Sequence, residues 1–188
     1  MMAKPYPDAP TLVLVITNDS AVFLKTGVAS AFEMFGGRCT EVKKLVARLD
    51  TASRTHDVKK KLCEVSFGII TSKYGYIPAD YTVMPYPAEE VMDSPEDYEA
   101  VQKKKDFLGK IDYTCKLFDR IVVCVPKHIM KMILDSNALT NGRVIAVTSP
   151  DFKEECEKRD WLFLERRGAR VGDANADIIF EEIRKISE

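Results

Sequence analysis

Thr11-Leu12-Val13-Leu14-Val15-Ile16-Thr17, followed by Asn18-Asp19-Ser20, is the stretch that decides the fold. Its first seven residues are apolar or β-branched and show no polar alternation. A strand of that kind is buried on both faces, the situation of a strand inside a parallel sheet. The short polar residues that follow suit helix caps. A helical pattern then runs to Phe35 and stops at Gly36-Gly37.

The same type of run recurs along the chain. Val65–Thr71, Ile121–Val125 and Arg143–Thr148 read as further buried strands, and Trp161–Leu164 as a short one. Cys39–Leu45 reads as a strand or, alternatively, Glu41–Leu49 as a helix. The strand is preferred, with a helix over Ala52–Cys63 after it. Ser94-Pro95-Glu96-Asp97 is a helix start, with a cap, a first-turn proline and a capping-box acid. That helix is expected to reach Phe118. A short helix after Pro126 ends near Ser136, Asn141-Gly142 is a turn, Ser149-Pro150 opens a helix through Lys158, and Asp173–Ile186 is the last helix. Strands alternating with helices point to an α/β fold: a mostly parallel sheet of about five strands covered on both faces, a Rossmann-like three-layer sandwich. Residues 1–10 read as a flexible arm and 11–188 as a single domain.

Bulk composition sets limits on function. Lys and Arg total 28 against 29 Asp and Glu, so the molecule has no overall basic field for nucleic acid. No apolar run approaches the roughly 18 residues that cross a bilayer, so no membrane partner is expected. The first ten residues hold three prolines and no secretory apolar core. Five cysteines without a Cys-x-x-Cys pair then suit reduced thiols and a cytoplasmic setting. With only His56 and His128, a histidine-rich metal site is not expected.

In a parallel sheet the strand carboxyl ends share one edge, where ligands bind. Here those ends carry Thr17, Asn18 and Asp19, then Ser72, Lys73, Tyr74 and Gly75, then His128, and finally Arg170 before the last helix. Capping is the simpler role for Asp19, Ser20, Ser94 and Ser149. Lys73 ends a buried strand. If desolvated its pKa would fall, which would suit it as a nucleophile or base, with Asp19 as a second catalytic candidate. Its alternative is a head that snorkels to water or pairs with Asp80 or Glu89. Gly75 between Tyr74 and Tyr76 marks a turn that needs positive φ. Tyr86 between Pro85 and Pro87 sits on a stiff loop, so these tyrosines would either stack a ring or simply pack over the sheet edge. Arg166–Asp173 reads as an anion cradle or as a basic surface turn, and Lys103-Lys104-Lys105 as a solvated helix face.

Ser72-Lys73-Tyr74-Gly75-Tyr76-Ile77-Pro78-Ala79-Asp80 followed by Pro85-Tyr86 resembles a signature of the form Ser-Ala-Lys-Tyr-Gly-Leu-Leu-x-Pro-x-Asp … Pro-Tyr. Uncharacterised bacterial, phage and archaeal proteins carry it, and they are related to peroxide-stress proteins of the YaaA type and to the archaeosine synthase core domain. The resemblance implies an α/β domain with the Lys73-Tyr74-Gly75 turn and Tyr86 in a shared pocket. It points to nucleic-acid or nucleobase metabolism or to stress response. In those families the first strand runs into a Cys-Ser-x-x-Lys loop. Here Thr17-Asn18-Asp19-Ser20 takes that place, so chemistry belonging to that loop is not carried over.

The expectation is therefore a nucleobase-, nucleotide- or nucleic-acid-derived ligand at the strand carboxyl ends, with a transferase role in nucleic-acid modification as the enzymatic version. Lys73 and Asp19 are the catalytic candidates. Thr17, Asn18, Ser72, Tyr74, Gly75, Asp80, Tyr86, His128 and Arg170 are the ligand-binding ones. A non-enzymatic nucleic-acid or stress-response module, and a structural subunit, stay open, as does a homodimer. The sequence names no cofactor.

Overall fold

The structure, a computed structural model, describes residues 10–55, 63–139 and 142–187. The expected arm lies outside these residues but for Pro10, and His56 and Asn141 lie outside them too. The chain gives β1 (Thr11–Asn18), β2 (Ala29–Ser30), α1 (Ala31–Met34), α2 (Cys39–Thr55), β3 (Cys63–Thr71), β4 (Gly75–Pro78) and β5 (Thr82–Val83). It continues with α3 (Pro95–Lys105), α4 (Phe107–Cys115), β6 (Arg120–Cys124), α5 (Lys127–Ser136), β7 (Val144–Thr148), α6 (Lys153–Lys158), β8 (Leu162–Glu165) and α7 (Asp173–Ser187).

The main sheet runs β4-β3-β1-β6-β7-β8, parallel except for β4. The fold is thus the expected α/β sandwich, with six strands in place of about five. Alternate residues of β1 feed two cores. Val13 and Val15 face α1, α2 and α7, whereas Leu14 and Ile16 face α3, α4, α5 and α6. Both faces of β1 are dry, which is why its sequence does not alternate. Each fully buried Ile or Met of α5, such as Ile129, Met130 and Ile133, contributes about 2 kcal/mol of transfer free energy.

The chain leaves β1 toward β3 on one side and later returns to β6 on the other, then moves outward to β7 and β8. This reversal makes a topological switch point at the carboxyl ends of β1 and β6, where open α/β sheets form a crevice.

Three local expectations are corrected. Of the helix expected up to Phe35 only the single turn of α1, Ala31–Met34, forms. Val22–Leu24 instead lies against Met34–Gly36, with a Phe23–Phe35 bridge and Leu24 N–H donating to Met34 O at 2.8 Å. Cys39–Leu45 is helix rather than strand. Cys39, Val42, Leu45, Val46 and Leu49 are buried at spacings of three and four, so α2 presents one apolar stripe. The helix after Ser94 starts as expected, with Ser94 and Asp97 forming the capping box, but it breaks at Asp106. Asp106 adopts φ 46 and its carboxylate accepts from Gly109 N–H at 3.2 Å, which opens α4.

β4 is a strand beyond those read from the sequence. Thr71 Oγ1 accepts from Tyr74 N–H and donates to Gly75 O, each at 2.9 Å. Gly75 then turns with φ 73, and the chain folds back along β3. Pro78 ends β4 on the sheet edge, where its missing N–H is tolerated.

Candidate functional site

The carboxyl end of β1 carries a cluster of buried polar side chains. Asp19 is 1% exposed and caps no helix. Its Oδ2 accepts from Ser72 N–H and Ser72 Oγ–H at 2.7 Å each, and from the Tyr86 hydroxyl at 2.5 Å. Ser72 Oγ in turn accepts from Met92 N–H at 2.8 Å. Burial raises the Asp19 pKa, while the donors from Tyr86 and Ser72 and the charge of Arg170 pull it back. The Tyr86 phenol is pushed well above its ordinary value by burial and by the neighbouring carboxylate, so it remains a donor.

Arg170 reaches the same place from the loop before α7 and is 4% exposed. Its Nη1 donates to Asn18 O at 2.6 Å and its Nη2 to Asp19 O at 2.9 Å. Nη1 also lies 3.3 Å from Thr17 Oγ1 and 3.1 Å from Cys39 Sγ. Thr17 Oγ1 donates to Cys124 O at 2.8 Å, which ties β1 to β6 at the switch point. Arg166 does similar work nearby, donating to Val125 O and Ala169 O. The two arginines therefore clamp strand ends, and the basic-cradle reading holds only in part. Arg167 alone of the three is exposed, 3.6 Å from Glu165.

Three polar atoms in this cluster are buried without a hydrogen-bond partner: Asn18 Oδ1, Asp19 Oδ1 and Arg170 Nε. A fourth, Thr148 Oγ1, lies at the carboxyl end of β7. Buried polar atoms are nearly always paired, so a group of them at one sheet edge calls for a role. Comparisons with family models, curated proteins and solved structures give no match. The site is therefore read from its own geometry.

Of the expected site residues, Thr17, Asn18, Asp19, Ser72, Tyr86 and Arg170 come together. Gly75 shapes the adjoining turn. Tyr74 lies half-buried, its ring 6.3 Å from that of Tyr86 and its hydroxyl accepting from Met84 N–H at 3.1 Å. Lys73, by contrast, is exposed on the turn, its ammonium 5.8 Å from the Tyr74 ring centre, so the burial expected of a lysine nucleophile is missing. Asp80 is exposed, and so is His128, whose ring lies 6.1 Å from Tyr98. Among the described residues no three His, Cys, Asp or Glu side chains are grouped to hold a metal ion. Nor is any helix among them long and apolar enough to cross a membrane.

Three features were not singled out in the sequence. Cys39 packs against Arg170, with its thiol pushed up by burial. Burial raises the phenol of Tyr98 on α3, and the charges of Asp93 and Asp19 add to the rise. Finally, Ser72 lines a cleft of about 300 Å³ together with Glu89, Glu90, Asp97, Lys104 and Lys105. Ser72 is thus the link between open surface and the buried carboxyl.

Proposed function

We propose that the protein binds a nucleobase- or nucleoside-type ligand in the cleft beside Ser72, within the broader class of nucleobase-, nucleotide- and nucleic-acid-derived ligands. The observation that carries the reading is the trio of unpartnered buried atoms at the carboxyl end of β1: Asn18 Oδ1, Asp19 Oδ1 and Arg170 Nε. They lie behind Ser72 rather than on the cleft wall, and to a ligand that enters past Ser72 they would offer acceptors and a donor of the kind that reads a polar planar edge, beside the switch point of the sheet. The Tyr86 hydroxyl donates to Asp19, and the Tyr74 ring packs edge-on against that of Tyr86.

The charge around the cleft narrows the class. Glu89, Glu90 and Asp97 stand against Lys104 and Lys105, so the rim is mixed rather than basic. A mixed rim favours a polar, nearly neutral ligand over a polyphosphate. Arg166 and Arg170 direct Nη donors to backbone carbonyls, which removes two cations from the competing nucleic-acid-binding reading. The segment that carries the signature resemblance supplies Ser72 and Tyr86, while Asp19 occupies the place of the missing Cys-Ser loop.

The test is a thermal-shift screen of bases and nucleosides, followed by calorimetry. A ligand at about 100 times its Kd stabilises by about 2.7 kcal/mol, which for a chain of this size raises Tm by about 5–11 °C. Ser72→Ala and Asp19→Asn should remove the shift while leaving a cooperative melt. Silence from every base and nucleoside, or a shift unaffected by both substitutions, overturns the proposal.

A further inference from the structure

A second concavity lies on the α4 face of the sheet, about five residues or 16 Å down β1 from Asp19. It encloses about 610 Å³, twice the cleft at Ser72 and well within the range of small-molecule sites. Its origin is in β3. Ile70 meets the α3–α4 core, but on the same strand face Ser66 is exposed and Gly68 has no side chain. Tyr76 lies across that gap: a Cβ on Gly68 would stand 2.2 Å from the Tyr76 hydroxyl oxygen. Leu14 (2% exposed) and Tyr76 (9%) therefore form an apolar floor that no helix covers completely.

The rim carries one charge of each sign, and the two differ in their partners. Lys110 of α4 stands at the mouth, and its ammonium has no ion-pair partner among the described residues. The carboxylate in the lining, Asp106, already accepts from Gln102 Nε2 at 2.9 Å and from Gly109 N–H at 3.2 Å. Burial holds the Tyr76 phenol well above its ordinary value, so it adds a donor and no charge. Tyr113, 77% exposed on the turn after Lys110, leaves a large ring beside the opening.

We infer that this groove binds an amphipathic monoanion, an apolar body lying on Leu14 and Tyr76 with a carboxylate or sulfonate at Lys110. Apolar floor, volume and a single unpaired cation at the mouth match that chemistry together. A dianionic or polyanionic ligand would gain nothing further from the rim, and a neutral apolar one would leave Lys110 unused. The site shares no residue with the Asp19–Arg170 cluster and stands or falls independently of it.

Fluorescence titration of the full chain with anilinonaphthalene sulfonate, followed by displacement with decanoate, tests it and separates aryl from alkyl bodies. One saturable site is expected, with near-ultraviolet circular dichroism unchanged. Lys110→Ala should weaken binding about fivefold, the scale of one partly exposed ion pair. Ser66→Trp, at an exposed strand position, should fill the groove and abolish binding while nucleoside binding beside Ser72 persists. Displacement by decanoate, or saturable binding of the sulfonate without it, supports the site and tells which body it takes. Absence of saturable binding by both probes, or affinity unchanged in Ser66→Trp or in Lys110→Ala, overturns it.

Discussion

Replacing Tyr86 with Phe removes one oxygen from the centre of the buried cluster and leaves the ring. That ring packs edge-on against Phe23, with centroids 4.9 Å apart, and Phe preserves the contact. What disappears is the donor 2.5 Å from Asp19 Oδ2. A hydrogen bond to a charged group contributes about 1.5–3 kcal/mol and a neutral one about 1 kcal/mol. Tyr86→Phe should therefore cost about 2 kcal/mol where Asp19 is ionised and about 1 kcal/mol where it is protonated. For a chain of this length the larger figure lowers Tm by about 4–8 °C.

The pH dependence has a definite sign. Burial raises Asp19 above its ordinary value in the native state, so the native protein holds a proton that the unfolded chain has released. Stability is then greatest below the ordinary carboxylate range and falls as pH rises toward the native value. The Tyr86 donor opposes that rise, so its loss moves the native value further up and extends the falling limb. Urea titrations between about pH 4 and pH 8 would measure both effects. A cost below about 0.5 kcal/mol at every pH, or a cost that shrinks as pH rises, refutes the reasoning.

Three shorter predictions rest on other contacts. Gly75→Ala places a side chain at φ 73, with its Cβ 2.8 Å from Lys105 Cβ, and should destabilise by about 1–3 kcal/mol in chemical denaturation; a neutral result would mean that the turn relaxes freely. Arg170→Met keeps the bulk but orphans the Asn18 and Asp19 carbonyls, at a cost of about 2–4 kcal/mol, and an unchanged Tm would show that the clamp is dispensable. All five thiols are buried, and burial pushes Cys124 up to about 12 and Cys63 and Cys156 to about 11. A disulfide reagent should label none in the native protein and all five in denaturant, and fast native labelling of any would contradict the packing.

How much of this was legible in the sequence depended on the range of the interaction. β1 could be read because burial on both faces leaves its mark in consecutive residues. The stripe of α2 could not be read in a seven-residue window, because Cys39–Leu45 fits either period and only the span to Leu49 separates them. The loop before α1 deceived because its bridge pairs Phe23 with Phe35, a tertiary choice that overrides local helical spacing. Capping read as the simpler role for Asp19 beside a catalytic one, since Asp after a strand commonly caps, yet its partners lie 53 and 67 residues away. Arg170 meets β1 across about 150 residues. For Lys73, at the end of a buried strand, the sequence leaves open both a desolvated base and a head that reaches water. It is the turn closing β4 that carries it out to water.

Asp19 has one oxygen saturated by three donors and the other buried without a partner, and that division would give a ligand entering past Ser72 a measurable proton signature. A ligand N–H meeting Oδ1 would favour the carboxylate and lower the Asp19 pKa, so binding would release a proton near the native value. A ligand carbonyl meeting Oδ1 needs the protonated acid as donor, so binding would take a proton up. Calorimetry in two buffers of different ionisation enthalpy reads the sign directly. Release identifies an amino or imino edge, and uptake a carbonyl edge. Asp19→Asn, which should abolish binding, removes the exchange with it in either case. Proton exchange that survives Asp19→Asn would place the titrating group elsewhere and detach the ligand from this carboxyl.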